Sequence, residues 1–389
     1  MNTTTATDAL TQPPFVDGKR YAWILSLAVP MLVGAGPLLM LWSGEVWTLW
    51  LPTLLVYGIV PLVDALLGVD RTNPPEWAVP QLEADLFYRR VTWALVPILW
   101  VAFIFAAWFV AAYDLPWHGW LAMVLIGGSV GGFCINLGHE LGHKQTKLER
   151  WLAKIVLAPT GYGHFFIEHN RGHHRDVATP DDPASSRMGE SIWRFVLREI
   201  PGAARRAWRL EKDRLSRDGL PLWSLHNEIL QPALITLALW TALALWLGVG
   251  ILPFLLAMSL WANFQLTSAN YIEHYGLLRG RRPDGRYEMC QPHHSWNSNH
   301  IFSNWALFHL QRHSDHHAHP GRRYQSLRHF EDLPQLPSGY FGMFLVAYIP
   351  PLWYRVMDRR LIKAVGGDVN RINFQPGQQQ RLVRQYGLG

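Results

Sequence analysis

Apolar and polar residues fall into long blocks along this chain. Six stretches, Tyr21–Trp42, Val46–Leu67, Val91–Tyr113, Trp117–Leu137, Ile229–Leu247 and Gly250–Tyr271, are almost free of charge. Each carries about 20 mostly apolar residues, the length that crosses a bilayer as a helix. No charged residue occurs between Glu228 and Glu273, which leaves room for two spans and a turn at Gly248-Val249-Gly250. Pro30, Pro52, Pro61, Pro97 and Pro253 lie inside these spans, where neighbouring helices can satisfy the backbone groups a proline frees.

The pattern predicts an all-α integral membrane protein of about six transmembrane helices with a helical, histidine-rich metal-binding cap. It divides into an amino-terminal tail (1–20), helices one to four (21–137), a first cap segment (138–228), helices five and six (229–271) and a second cap segment and tail (272–389). The stretch Ser338–Met357 is aromatic but interrupted by Pro350-Pro351 and ended by Arg355. It reads as an interfacial segment rather than a seventh span. Residues 1–20 hold no basic n-region followed by an apolar core, so no cleaved signal peptide is expected.

Composition sharpens this picture. Only 16% of residues are charged, against about 25% in soluble domains, and 20 are tryptophan, a residue favoured at membrane–water interfaces. Two cysteines, Cys134 and Cys290, exclude a disulfide framework and a fused four-cysteine metal module. Of the 35 basic residues, two precede the first span, three separate spans two and three, fifteen separate spans four and five, and fifteen follow span six. Basic loops stay cytoplasmic, so both termini and both cap segments are expected on that face. Seventeen of the 18 histidines share it, His118 being the exception. The net charge of +6 fits this rule and attraction to anionic headgroups. It fits docking of an acidic electron donor equally well, and no nucleic-acid partner is expected.

The histidines carry the chemistry. Span four runs into His139-Glu140-Leu141-Gly142-His143, whose i, i+4 spacing puts two imidazoles on one helix face. Glu168-His169-Asn170-Arg171-Gly172-His173-His174, His313-Ser314-Asp315-His316-His317 and Glu273-His274 complete four clusters. Nine imidazoles exceed the four positions of a zinc site and suit two metals of coordination number five or six. Imidazole alone does not choose among iron, copper and zinc. Glu140, Glu168, Glu273 and Asp315 adjoin these histidines, and Asp176, Asp181 and Asp182 follow the second cluster. All seven are candidates to accept the far N–H of a ligand imidazole. His293, His294 and His300 could face substrate or bind a further metal. His164, His309, His319 and His329 are expected to be structural. His139–His143 also fits H-E-x-x-H, the zinc-protease signature, but three ligands and a water leave the remaining histidines without a purpose.

The H-x-x-x-H, H-x-x-x-H-H and H-x-x-H-H set resembles the membrane di-iron desaturase and hydroxylase superfamily. Asn270–Leu277, Leu310–Ala318, Glu168–Pro180 and Pro292–His300 narrow the resemblance to the alkane 1-monooxygenase family, over about residues 15–370. That resemblance implies two non-haem iron ions (Fe2+/Fe3+) held by His139, His143, His169, His173, His174, His274, His313, His316 and His317, with O2 as co-substrate. It implies hydroxylation of the terminal carbon of a medium-chain n-alkane in a bacterial inner membrane. Electrons would come from rubredoxin and an NADH-dependent rubredoxin reductase. Fatty-acyl desaturases or hydroxylases and xylene-type monooxygenases are the alternatives within the superfamily. Gly127, Gly128, Gly131 and Gly132 on span four would permit close helix approach or leave room for a chain, the former being their commoner use.

Overall fold

A computed structural model describes residues 14–388; the start of the amino-terminal tail lies outside them. The described residues form helices and turns, with isolated β-bridges and no longer strand. Six helices are long and apolar enough to span a membrane: α1 (Arg20–Ser43), α2 (Val46–Leu67), α3 (Leu86–Ala112), α4 (Trp117–Gly142), α7 (Leu230–Leu247) and α8 (Val249–His274). Between α4 and α7 come α5 (Lys147–Leu157) and α6 (Ile192–Arg217). After α8 come α9 (His313–Ala318), α10 (Tyr340–Ala347) and α11 (Pro350–Ala364). The protein is an all-helical integral membrane protein.

Three spans outrun their apolar runs at the cap end. Helix α3 starts at Leu86, because the Asp85 side chain caps it by accepting from Phe87 N at 2.8 Å. Helix α4 continues five residues past Leu137, and α8 three past Tyr271. Both extensions are polar, and both carry histidines into the cap. A hydropathy pattern ends where charge begins, whereas the helical hydrogen-bond ladder does not.

Helix α4 is the centre of the bundle. In its most apolar stretch 78% of residues are buried, against 11% for the peripheral α7. Its glycines put it against α8. A Cβ on Gly128 would stand 2.7 Å from the Met258 carbonyl oxygen, and one on Gly131 would stand 2.7 Å from the Ala262 Cβ. No side chain fits there, so these glycines buy close approach.

Two apolar cores result. One lies among the spans, and the other packs α6, α8, α10 and α11 in the cap around Phe195, Tyr271, Tyr275, Trp353 and Met357. The Ser338–Met357 stretch breaks between α10 and α11, where Pro350 and Pro351 open the second helix. Trp100 and Trp240 join spans to cap by donating to the Ile155 and Pro159 carbonyls at 3.0 and 3.1 Å.

Candidate metal centre

Four elements bring the nine clustered histidines to one place. The end of α4 supplies His139 and His143, the end of α8 supplies His274, and α9 supplies His313, His316 and His317. His169, His173 and His174 come from a π-helical turn, Glu168–His173, and the residue after it. A π-turn closes i to i+5 hydrogen bonds. It therefore carries His169 and His174 to one side, their Nε2 atoms 3.0 Å apart. A regular α-helix would splay them.

The donor atoms form two groups: His139, His143, His169, His174 and His316 in one, and His173, His274, His313 and His317 in the other. Both His-His dipeptides among the nine are divided between them. His173 and His174 go to different groups, and so do His316 and His317.

The donor set fits metal ions. Within the first group His139 and His316 Nε2 are 2.8 Å apart, and His316 and His174 Nε2 are 3.2 Å apart. In the second, His313 Nε2 lies 3.2 Å from His274 Nε2 and 2.9 Å from His317 Nε2. Two nitrogens bound at right angles to a metal about 2.1 Å away lie roughly 3 Å apart. His143 and His173 each bury an Nε2 that has no hydrogen-bond partner. Burial first, and neighbouring imidazoles second, hold His143, His169 and His316 well below the ordinary histidine range. The rings are neutral at pH 7, with lone pairs free for a cation.

The carboxylates behave less uniformly than their sequence positions suggest. Asp182 accepts from His173 Nδ1 at 2.9 Å, which fixes the tautomer and bares Nε2. It is held by Arg206, which donates to Asp182 at 2.7 Å and also to Glu168. Beside His173 and Arg206, Asp182 stays ionised despite its burial. Glu140 instead pairs with Lys144 at 3.0 Å, and Asp315 pairs with Arg322 at 3.3 Å and accepts from Arg328 N at 3.0 Å. Asp176 pairs with Arg175 at 2.7 Å, and Asp181 is exposed, offering only its backbone carbonyl to Arg206.

Glu273 differs from all of these. Its Oε2 lies 3.4 Å from His313 Nε2, the nitrogen that faces the second group, and its buried Oε1 has no partner. It stands on the metal side of the imidazoles, not behind them.

The three outlying histidines are placed elsewhere. None of His293, His294 and His300 lines the apolar cavity described below. Glu288, His293 and His294 form a third, smaller group of donors. His294 Nδ1 accepts from Gln291 N at 2.9 Å, so its Nε2 carries the hydrogen that Glu288 takes at 3.1 Å. His300 Nδ1 pairs with Ser298 at 2.9 Å, and His309 donates to the Tyr324 carbonyl at 2.7 Å.

An apolar cavity runs from the histidines into the spans. Val29, Leu32, Val56, Ile126, Val130 and Phe133 line its body; His139, His169, His313, Glu273, Asn136 and Asn270 line its inner end. Ile126 and His139 are 13 residues apart on α4, so the cavity runs about 20 Å along that helix.

Known proteins resemble this chain in sequence. The sequence model of the fatty acid desaturase family matches residues 114–347. The chain is 53% identical to alkane 1-monooxygenase 1 of Alcanivorax borkumensis, over 97% of this chain and 96% of that protein. The chain belongs to the alkane 1-monooxygenase family. The alkane 1-monooxygenase of Ectopseudomonas oleovorans is likewise 53% identical, over 96% of this chain and 94% of its own length. The hydroxylase component of the Pseudomonas putida xylene/toluene monooxygenase is 31% identical, over 63% of this chain and 64% of its own. As an alkane 1-monooxygenase relative, the chain is read as an oxidoreductase rather than a protease. Its Glu140, the would-be base of the protease motif, is tied to Lys144 instead.

Arg206, Asn270, Glu199 and the π-turn escaped sequence reasoning. Arg206 is one of nine basic residues from position 187 to 217, and nothing in their spacing marks it. Asn270 opens the Asn270–Leu277 motif, which did carry a signal.

Proposed function

We propose that this protein hydroxylates the terminal carbon of medium-chain n-alkanes to 1-alkanols at a di-iron centre. The cavity that ends on two groups of neutral imidazoles carries this reading. An unactivated methyl group offers no acidic proton, leaving group or dipole, so acid–base and nucleophilic chemistry cannot reach it. Iron supplies the oxidising chemistry when bound. His139, His143, His169, His174 and His316 would hold one ion, and His173, His274, His313 and His317 the other.

The chain's own residues do the rest. The apolar wall takes up a hydrocarbon already concentrated in the bilayer, at about 0.8 kcal/mol per CH2. A tube of that shape presents the substrate end-on, its terminal carbon next to His139, His169 and His313. Asp182, braced by Arg206, keeps His173 in the binding tautomer. Glu273 places a carboxylate between the cavity and the four-histidine group.

Rubredoxin, reduced through an NADH-dependent reductase, is the proposed electron donor. The basic excess on the cap face would attract an acidic partner. In this reading the protein lies in the bacterial inner membrane, with its termini and metal centre cytoplasmic.

The experiment supplies octane, O2, NADH, reductase and rubredoxin to the detergent-held protein. The expected product is 1-octanol, dependent on O2. Desaturated product, or no octane oxidation by iron-loaded protein, would overturn the reading.

A further inference from the structure

Most buried carboxylates near the metal centre are neutralised by a cation. Glu140 has Lys144, Glu168 and Asp182 share Arg206, and Asp315 has Arg322. Glu199, on the buried face of α6, has none among the described residues. It is 1% exposed and accepts only from neutral groups of α8, from Thr267 Oγ1 at 2.7 Å and from Asn270 Nδ2 at 3.2 Å. Asn270 lines the inner end of the cavity, one turn before Glu273.

We propose that Glu199, acting through Asn270, holds and supplies a proton to the cavity end of the metal centre. The proposal rests on the monooxygenase reading above. In that reaction RH, O2, two electrons and two protons give ROH and H2O. A C–H bond is broken, C–O and O–H bonds form, and the donor's two electrons reduce the second oxygen atom to water. The centre is buried, so its protons must pass through the protein. The proton that leaves the Glu199 carboxyl ends on the oxygen released as water. The carboxylate is then reprotonated from the solvent side of α6, where Arg205 is exposed.

The chemistry of Glu199 suits this task. Burial chiefly, with repulsion from Glu168 and Asp182, outweighs its hydrogen bonds and pushes the carboxyl up to about 7. A group poised there can both hold and release a proton at neutral pH. The charged and titratable groups around it are Glu168 and Asp182, the Arg206 that pairs with both, and Tyr162 ahead of the π-turn. From α8 only neutral Thr267 and Asn270 reach it. As an ionised acceptor Glu199 takes the Asn270 amide N–H, which turns Oδ1 away from it. Protonated, it becomes a donor, and the amide matches it by turning over. The state of Glu199 is thus transmitted to a residue on the cavity wall.

Glu199→Gln keeps the shape and removes the proton. Infrared spectroscopy of the metal-free wild type is expected to show a buried carboxylic acid titrating between about pH 6 and 8, absent in E199Q. In the iron-loaded, reconstituted system, E199Q should bind wild-type amounts of iron yet turn over about tenfold more slowly or worse. It should release more peroxide per O2 consumed, and its pH profile should lose the ionisation near neutrality. Glu199→Asp should recover part of the coupling. An unchanged pH profile and coupling in E199Q would overturn the proposal. So would loss of iron in E199Q and E199D alike, which would mark a structural residue. If wild type makes no alcohol, the monooxygenase reading fails, and the infrared titration still reports on Glu199.

Discussion

The two histidine groups use the same residue type but are built differently. The first, from α4, the π-turn and α9, gathers five imidazoles. The second, from the π-turn, α8 and α9, gathers four, with Asp182 behind one of them and the Glu273 carboxylate on the open side. Five nitrogens nearly fill a five- or six-coordinate ion, whereas four leave positions free. An ion held by the second group would keep room for oxygen, and Glu273 lies beside that group, 3.4 Å from His313 Nε2. Asymmetry of this kind would give two ions, one in each group, separate tasks at one cavity mouth.

Removing an imidazole from either group is the severest way to break that comparison. His274→Ala should leave about one iron per chain and abolish alkane oxidation, as should His143→Ala for the other ion. Retention of both irons and activity in H274A would remove His274 from the ligand set. Asp182→Asn acts on one group only. It should weaken metal binding about 10–100-fold at the four-histidine site and leave the five-histidine site alone, as read by stepwise chelator titration. Equal loss from both sites would erase the proposed difference.

A pH titration sharpens the picture differently. Burial holds His143, His169, His174, His313, His316 and His317 below the usual histidine range. Their unfolded-state values lie near 6.5, so below that pH the unfolded chain binds more protons than the folded one. The metal-free protein should therefore lose stability as pH falls through about 6.5, and bound metal should delay that loss. Thermal denaturation of both forms against pH checks it. His294→Gln should have the smallest effect. It should leave metal content unchanged and cost about 1 kcal/mol of stability through its two hydrogen bonds.

Much of this molecule was legible in its sequence, for identifiable reasons. Uncharged runs located the six spans, because charge inside a bilayer is costly. Clustering singled out the nine histidines that the fold brings together. The division of both His-His pairs among the nine was not legible, because it depends on the π-turn, and an extra hydrogen-bonded residue leaves no mark in hydropathy. Nor were the partners of the acids. Glu140 and Asp315 adjoin histidines in sequence yet bind Lys144 and Arg322, and of the seven candidate acids it is Asp182, nine residues from His173, that meets a ligand imidazole from behind. Adjacency along a chain does not set which way a side chain points. The histidines at 293, 294 and 300 lie apart from the nine, and the backbone N–H of Gln291 that reaches His294 Nδ1 could not be read from spacing.

Metal analysis of the purified, detergent-held protein tests the central claim most directly. The account predicts about two irons per chain, one for each histidine group. One zinc and no iron would contradict it.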